Sequence, residues 1–160
     1  MGSGKSTVGR ILAKKLGWGF VDMDERIEGR TGRRVAEIFQ ELGEAAFRRE
    51  ELAVARELQS ATRRVIATGG GAFAQTATRE ALRVGAFTVW LAGDFETLAG
   101  RVGADGSRPL AADREIMRRL LGEREPFYRS ADLTVDATDA PEAIAGRIVA
   151  AAFGNADAER

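Results

Sequence analysis

Along the 160-residue chain, apolar positions follow helical spacing in some stretches and form short continuous runs in others. Val8, Ile11, Leu12 and Leu16 recur every three or four residues straight after Lys5, which predicts an amphipathic helix, and Gly17 stands where a C-cap is expected. Trp18-Gly19-Phe20-Val21 is a run of buried-strand length that ends in Asp22-Met23-Asp24. Helical spacing resumes over 25–42 in two pieces broken around Thr31-Gly32, with Val35, Ile38, Phe39 and Leu42 as the apolar stripe. A longer helix is predicted from Glu44 to about Ala61, where Phe47, Leu52, Val54 and Leu58 alternate with the charges of Arg48-Arg49-Glu50-Glu51. Arg64 to Thr68 is a second strand, 76–83 a helix, Phe87 to Leu91 a third strand, and Phe95 to Val102 a helix. An Arg- and Leu-rich helix comes next, then Arg124-Glu125-Pro126-Phe127-Tyr128-Arg129 and a short strand at Leu133 to Val135. The last helix runs from Pro141 to about Phe153, and the polar residues 154–160 are expected to be a disordered tail. Strand and helix alternate without an internal repeat or linker, which predicts one α/β domain over 1–153, a parallel sheet with helices on both faces.

Composition narrows the chemistry. Lys+Arg and Asp+Glu both number 24, so no global basic field favours nucleic acid or an anionic membrane, and any cationic site must be local. Lysine occurs only at 5, 14 and 15; the remaining cations are arginines, which suit bidentate binding of carboxylate or phosphate, although genome composition produces the same bias. Cysteine and histidine are both absent, which removes disulfides, thiolate nucleophiles, imidazole bases and the usual zinc ligands. A general base must then be a carboxylate. No apolar run approaches the ~20 residues of a membrane span and no signal peptide is visible, so cytoplasm is the default expectation.

Chemistry concentrates in four stretches. Gly2-Ser3-Gly4-Lys5-Ser6-Thr7 reads as the back half of a phosphate-binding loop opening into a helix: backbone N–H groups cradle phosphates, the Lys reaches them, and the Ser hydroxyl takes Mg²⁺. Asp22 and Asp24, two apart after a buried strand, would face one site if both lay on extended chain, although either serves equally as the N-cap of the helix beginning at Glu25. Gly69-Gly70-Gly71 after the second strand lets backbone approach a ligand, or is a flexible turn. Gly103 to Leu110 is glycine-rich and polar around Arg108, the pattern of a lid over phosphates and equally of a surface loop. The charges at 48–51 are by themselves those of a solvated helix face, with Arg48 and Glu51 spaced to pair. No acidic residue ends the second strand, so Asp22 is the natural carboxylate on the magnesium side.

Taken in order, G-S-G-K-S-T, D-M-D, F-R-R-E-E, G-G-G-A, R-P-L and R-E-P-F-Y-R resemble the shikimate kinase family over nearly the whole chain. The resemblance implies a P-loop NTPase-like sheet with an inserted lid at about 103–114 and a shikimate-binding region at about 23–61. It implies ATP-dependent phosphorylation of the 3-hydroxyl of shikimate in aromatic amino-acid biosynthesis, with Mg²⁺ as cofactor, by a monomer. Lys5 and Gly2 to Thr7 would bind the phosphates, Ser6 would coordinate the metal, and Asp22 would hold it through water. Asp24 would bind the shikimate hydroxyls and serve as general base, Arg48 and Arg124 would bind the carboxylate, and Gly69, Gly70 and Gly71 would offer N–H groups. Arg108 would reach the phosphates and Arg101 would lie near the nucleotide.

Two departures accompany the resemblance. Thr138-Asp139-Ala140-Pro141 lacks the basic residue that many relatives have near the adenine. The family also has a central strand ahead of its phosphate loop; the expectation is an apolar strand of about 5–6 residues leading to a Gly two positions before Met1, in a native chain about ten residues longer. Two rival readings stay open: another small P-loop kinase, acting on gluconate or a nucleoside monophosphate, and a non-catalytic nucleotide-binding module.

Overall fold

The computed structural model describes residues 2–101 and 114–154. In chain order the elements are α1 (Lys5–Leu16), β1 (Gly19–Asp22), α2 (Met23–Thr31), α3 (Val35–Glu41), α4 (Gly43–Leu58), β2 (Arg64–Ala67), a 3₁₀ turn (Ala72–Ala74), α5 (Thr76–Arg83), β3 (Val89–Ala92), α6 (Phe95–Arg101), α7 (Arg114–Tyr128), β4 (Leu133–Asp136) and α8 (Pro141–Phe153). The lid expected at about 103–114, with Arg108, lies outside the described residues apart from Arg114, as does the tail beyond Gly154.

Among the described residues all strand pairing is parallel. β1 runs beside β2 with Gly19 opposite Arg64 and Asp22 opposite Ala67, and β3 runs beside β4 with Val89 opposite Leu133 and Ala92 opposite Asp136. The α/β class is as expected, and among the described residues the strands form two separate parallel pairs, as expected of a family sheet without its central strand.

Alternation along β2 divides the core. Val65 packs against a cluster of Val8, Leu12, Leu91, Val135, Ile144 and Ile148, contributed by α1, α8, β3 and β4. Its neighbour Ile66 points the other way, against Met23, Ile27, Ile38, Phe47 and Val54 from α2, α3 and α4. Helices therefore cover both faces. Burying a large aliphatic or aromatic side chain contributes roughly 1.5–3 kcal/mol, so each cluster holds its layer firmly.

α1 is seated by a missing side chain. A Cβ on Gly9 would lie 2.6 Å from the Phe20 ring, so only glycine lets this helix settle on β1. Gly17 closes α1 in the left-handed conformation, its N–H donating to the carbonyls of Ala13 and Lys14.

Several boundaries differ from the sequence reading, two of them at the candidate site. β1 stops at Asp22 and Asp24 is already helical, because the Asp22 side chain accepts from the Asp24 N–H at 3.0 Å and caps α2. The two carboxylates are therefore not neighbours on one extended strand. α7 continues through Pro126 to Tyr128, whereas Arg124 to Arg129 read as a segment following the helix. The helix loses one backbone bond at Pro126, and side-chain contacts of its last turn with α5 and β3 offset the loss.

Candidate active site

The phosphate loop is pre-shaped by backbone conformation. Gly2 and Gly4 have φ of 69° and 76°, a region that side chains with a Cβ rarely enter. Gly4 is the N-cap of α1 with no side-chain cap hydrogen bond, and the first turn of that helix carries no acidic residue of its own, so its leading N–H groups and positive dipole end are turned toward the loop. Ser3 is buried, and its hydroxyl accepts a long 3.4 Å contact from Lys5 Nζ, which holds the ammonium over the loop.

From Ser6 the contacts run without interruption. The Ser6 hydroxyl donates to Asp22 Oδ2 at 2.7 Å, while Asp22 Oδ1 caps α2 and so fixes the turn that carries Asp24. Asp24 reaches the glycine triplet: a Cβ on Gly69 would lie 3.1 Å from Asp24 Oδ1 and 3.3 Å from Glu51 Oε1. A Cβ there would press on two carboxylates, which would have to give by a few tenths of an ångström. Gly71 is tight for a parallel reason, since a Cβ would run into the Arg48 guanidinium.

Arg48 and Glu51 form the buried hinge of this arrangement. Arg48 Nη1 donates to Glu51 Oε2 at 2.7 Å and Arg48 Nη2 to Glu44 Oε1 at 2.9 Å. Glu51 is 1% exposed, and its second oxygen, Oε1, has no hydrogen-bond partner among the described residues. Burial works against the Arg48 charge, but the Glu51 carboxylate overrides it and holds the guanidinium above its ordinary pKa. Burial likewise pushes the Glu51 carboxyl up, against the pull of Arg48, with the Asp24 charge adding to the rise and Arg124 opposing it.

A cavity of about 300 Å³ opens beside this pair, and Arg48, Gly71, Arg124 and Phe127 line it together with Glu44 and Glu123. Arg124, half-buried on α7, and Arg48 on α4 thus face one space across 76 residues of chain. Two guanidinium groups over a glycine backbone make a receptor for a carboxylate. Arg101, at the end of α6, stands elsewhere: its Nη1 donates to the Ala137 carbonyl just after β4 at 2.5 Å.

The structure brings Ser6, Asp22, Asp24, Gly69, Gly71, Arg48 and Arg124 into one connected region. It also adds groups that the sequence reading left unassigned. Glu51 pairs with Arg48 as their spacing allowed, but its burial was not foreseen: with Phe47, Val54 and Ala55 it lies on the buried side of α4, at spacings of four and three residues that mark one helix face. Tyr128 donates from its hydroxyl to the Gly70 carbonyl, 58 residues away in the chain. Asp139, in the stretch that lacks the basic residue many relatives have near the adenine, accepts from Arg147 of α8 at 2.6 Å. No group of three or more Asp, Glu, His or Cys positioned to hold a metal occurs among the described residues. No helix there is long and apolar enough to cross a membrane.

Comparison with known proteins agrees with this geometry. A family model described as shikimate kinase matches residues 1–152. The shikimate kinase of Gloeobacter violaceus is 51% identical over 149 residues, covering 91% of this chain and 84% of that protein. That of Paramagnetospirillum magneticum is 41% identical over 164 residues, covering all of this chain and 84% of its own. Among solved structures, the Acinetobacter baumannii shikimate kinase in complex with shikimate superposes with a TM-score of 0.90 at 39% identity, over 94% of this chain and 87% of that one. With a family match over residues 1–152, 51% identity to one relative and a TM-score of 0.90 to a solved structure, the chain belongs to the shikimate kinase family.

Proposed function

We propose that the chain catalyses the ATP-dependent phosphorylation of the 3-hydroxyl of shikimate, giving shikimate 3-phosphate and ADP. The observation that carries the substrate assignment is the cavity in which Arg48 and Arg124 converge on the Gly71 backbone, a carboxylate receptor next to Asp24. In the ternary complex Arg48, Arg124 and the N–H groups of Gly69 to Gly71 hold the shikimate carboxylate. The Asp24 carboxylate accepts the proton of the 3-hydroxyl as that oxygen bonds to the γ-phosphorus, and the bond to the β–γ bridging oxygen breaks to release ADP. Gly2 to Thr7 and Lys5 bind the transferring phosphates and spread the developing charge. Arg101 lies on the nucleotide side, and Arg108, outside the described residues, supplies a further cation to the phosphates.

Ser6 and Asp22 fit Mg²⁺. A hydroxyl and one carboxylate, with no cluster of three acidic groups around them, suit a cation that keeps much of its water shell and takes its other ligands from phosphate. Ser6 would bind it directly and Asp22 through water, and when bound it neutralises phosphate charge. We assign the enzyme to the cytoplasm as a monomer.

The assay that tests this reading is ADP release with shikimate set against gluconate and nucleoside monophosphates. Shikimate alone is expected to stimulate release. In the same assay Asp24→Asn should lower turnover by about 10²-fold or more while ATP binding, read by fluorescence titration, is held. Turnover within about tenfold of the parent removes Asp24 from the base role.

A further inference from the structure

The last turn of α7 is tied to the glycine loop by more than packing. The Tyr128 hydroxyl donates to the Gly70 carbonyl, joining residues 58 apart in the chain. Its ring lies against Trp90 of β3, 6.0 Å between centroids and tilted by 39°. A second tie runs parallel to it: the Arg79 guanidinium sits 5.1 Å over the Phe127 ring and donates to the Phe73 carbonyl at 2.8 Å. Arg124 lies one turn before Tyr128 on the same helix, four residues away and so on the same face.

We propose that Tyr128 is a positioning residue for the substrate carboxylate: by fixing the Gly70 carbonyl, it sets the direction of the Gly71 N–H and locks that donor to the helix that carries Arg124. The reasoning is geometric. The Gly70 carbonyl and the Gly71 N–H belong to one planar trans peptide and point to opposite sides. The Ala72 N–H, donating to the Gly69 carbonyl at 3.1 Å, frames the loop as a turn, but the central peptide of a turn can flip between two glycines with little steric resistance. The hydroxyl of Tyr128 supplies the missing constraint from the carbonyl side. With the carbonyl held toward Tyr128, the N–H is directed away from it, at a residue that lines the same cavity as Arg48 and Arg124. One bond thereby organises donors from two distant segments into a single unit. This inference rests on the shikimate reading above and adds to it a residue that touches neither substrate.

The test is Tyr128→Phe, which keeps the ring against Trp90 and removes only the donor. The KM for shikimate should rise by about 3- to 10-fold, the size of one neutral hydrogen bond acting through a positioned donor. kcat and the KM for ATP should stay within about twofold of the parent. With shikimate methyl ester, which lacks the anionic carboxylate, parent and variant should have KM values within about twofold of each other, because the group being positioned for is gone. A fall in kcat at constant shikimate KM, an unchanged shikimate KM, or an equal rise for shikimate and its ester overturns the proposal. If the parent itself fails to phosphorylate shikimate, the substrate assignment has failed, which the parent arm reports separately.

Discussion

The two faces of the strand pairs are packed with much the same aliphatic residues, yet they do different work. Under α1 and α8 the cluster around Leu12, Leu91, Ile144 and Ile148 has no charged group among its members. On the opposite face the cluster of Met23, Ile27, Phe47 and Val54 is just as closed, but Glu51 is buried beside it with Arg48 leaning out from the same helix. The first layer seats α1, and with it the phosphate loop, by apolar packing. The second spends stability on a charge whose use is to aim a guanidinium into a cavity, and the difference shows where selection for function has entered the core.

That contrast can be broken most sharply at Arg48. Arg48→Ala should lower shikimate affinity and also destabilise the fold by about 3–5 kcal/mol, because it strands the Glu51 charge in the interior. Arg124→Ala, whose side chain makes no hydrogen bond among the described residues, should lower shikimate affinity by roughly 10- to 150-fold with the melting temperature within about 3 °C of the parent. Equal losses of stability in both variants would show that the buried pair is not the cause. On the other face, Ile144→Ala should cost about 2–5 kcal/mol in denaturant unfolding and leave kcat and both KM values unchanged at temperatures where the variant is folded. A change in substrate KM there would mean that the two layers are mechanically coupled.

The finest distinction is in pH dependence. The Glu51 pKa is raised in the fold above its ordinary 4.5. Its contribution to stability is therefore fully present below that value and is lost as pH rises through the raised one. Thermal melts between about pH 4 and about pH 8 should show the parent losing stability relative to Glu51→Gln as pH increases. The opposite slope would mean that Arg48 outweighs burial and that the carboxyl is depressed.

Most elements were legible because periodicity and punctuation agreed. Helix α5 was placed at its observed bounds, and Gly17 and the break at Thr31-Gly32 ended helices as expected. The order of the motifs suggested a set of site residues, but their mutual geometry was not legible. Asp22 reads equally as a metal-side carboxylate and as a helix cap, and it is the fold that lets two oxygens of one side chain serve Ser6 and Asp24 together. Glu51 was hidden by its charge, since a cluster of like composition is usually solvated. Tyr128 and Arg147 act across 58 and 8 residues, the first through a backbone carbonyl, and no local pattern records such a partner.

For anyone seeking a hardier version of this enzyme, the glycines inside its helices are not equivalent. Gly29, Gly122 and Gly146 have open space where a methyl group would go, so alanine there is a conventional stabilising change, worth about 0.4–1 kcal/mol apiece through a less flexible unfolded chain. Gly9 offers the same gain on paper and refuses it in practice, because the added methyl would press on Phe20 and lift α1 from β1. A helix is stiff over one turn, so the displacement would arrive at Lys5 and Ser6 little diminished. A library built from helix propensity alone would thus trade ATP turnover for melting temperature at this one position, and Gly9 belongs on its exclusion list.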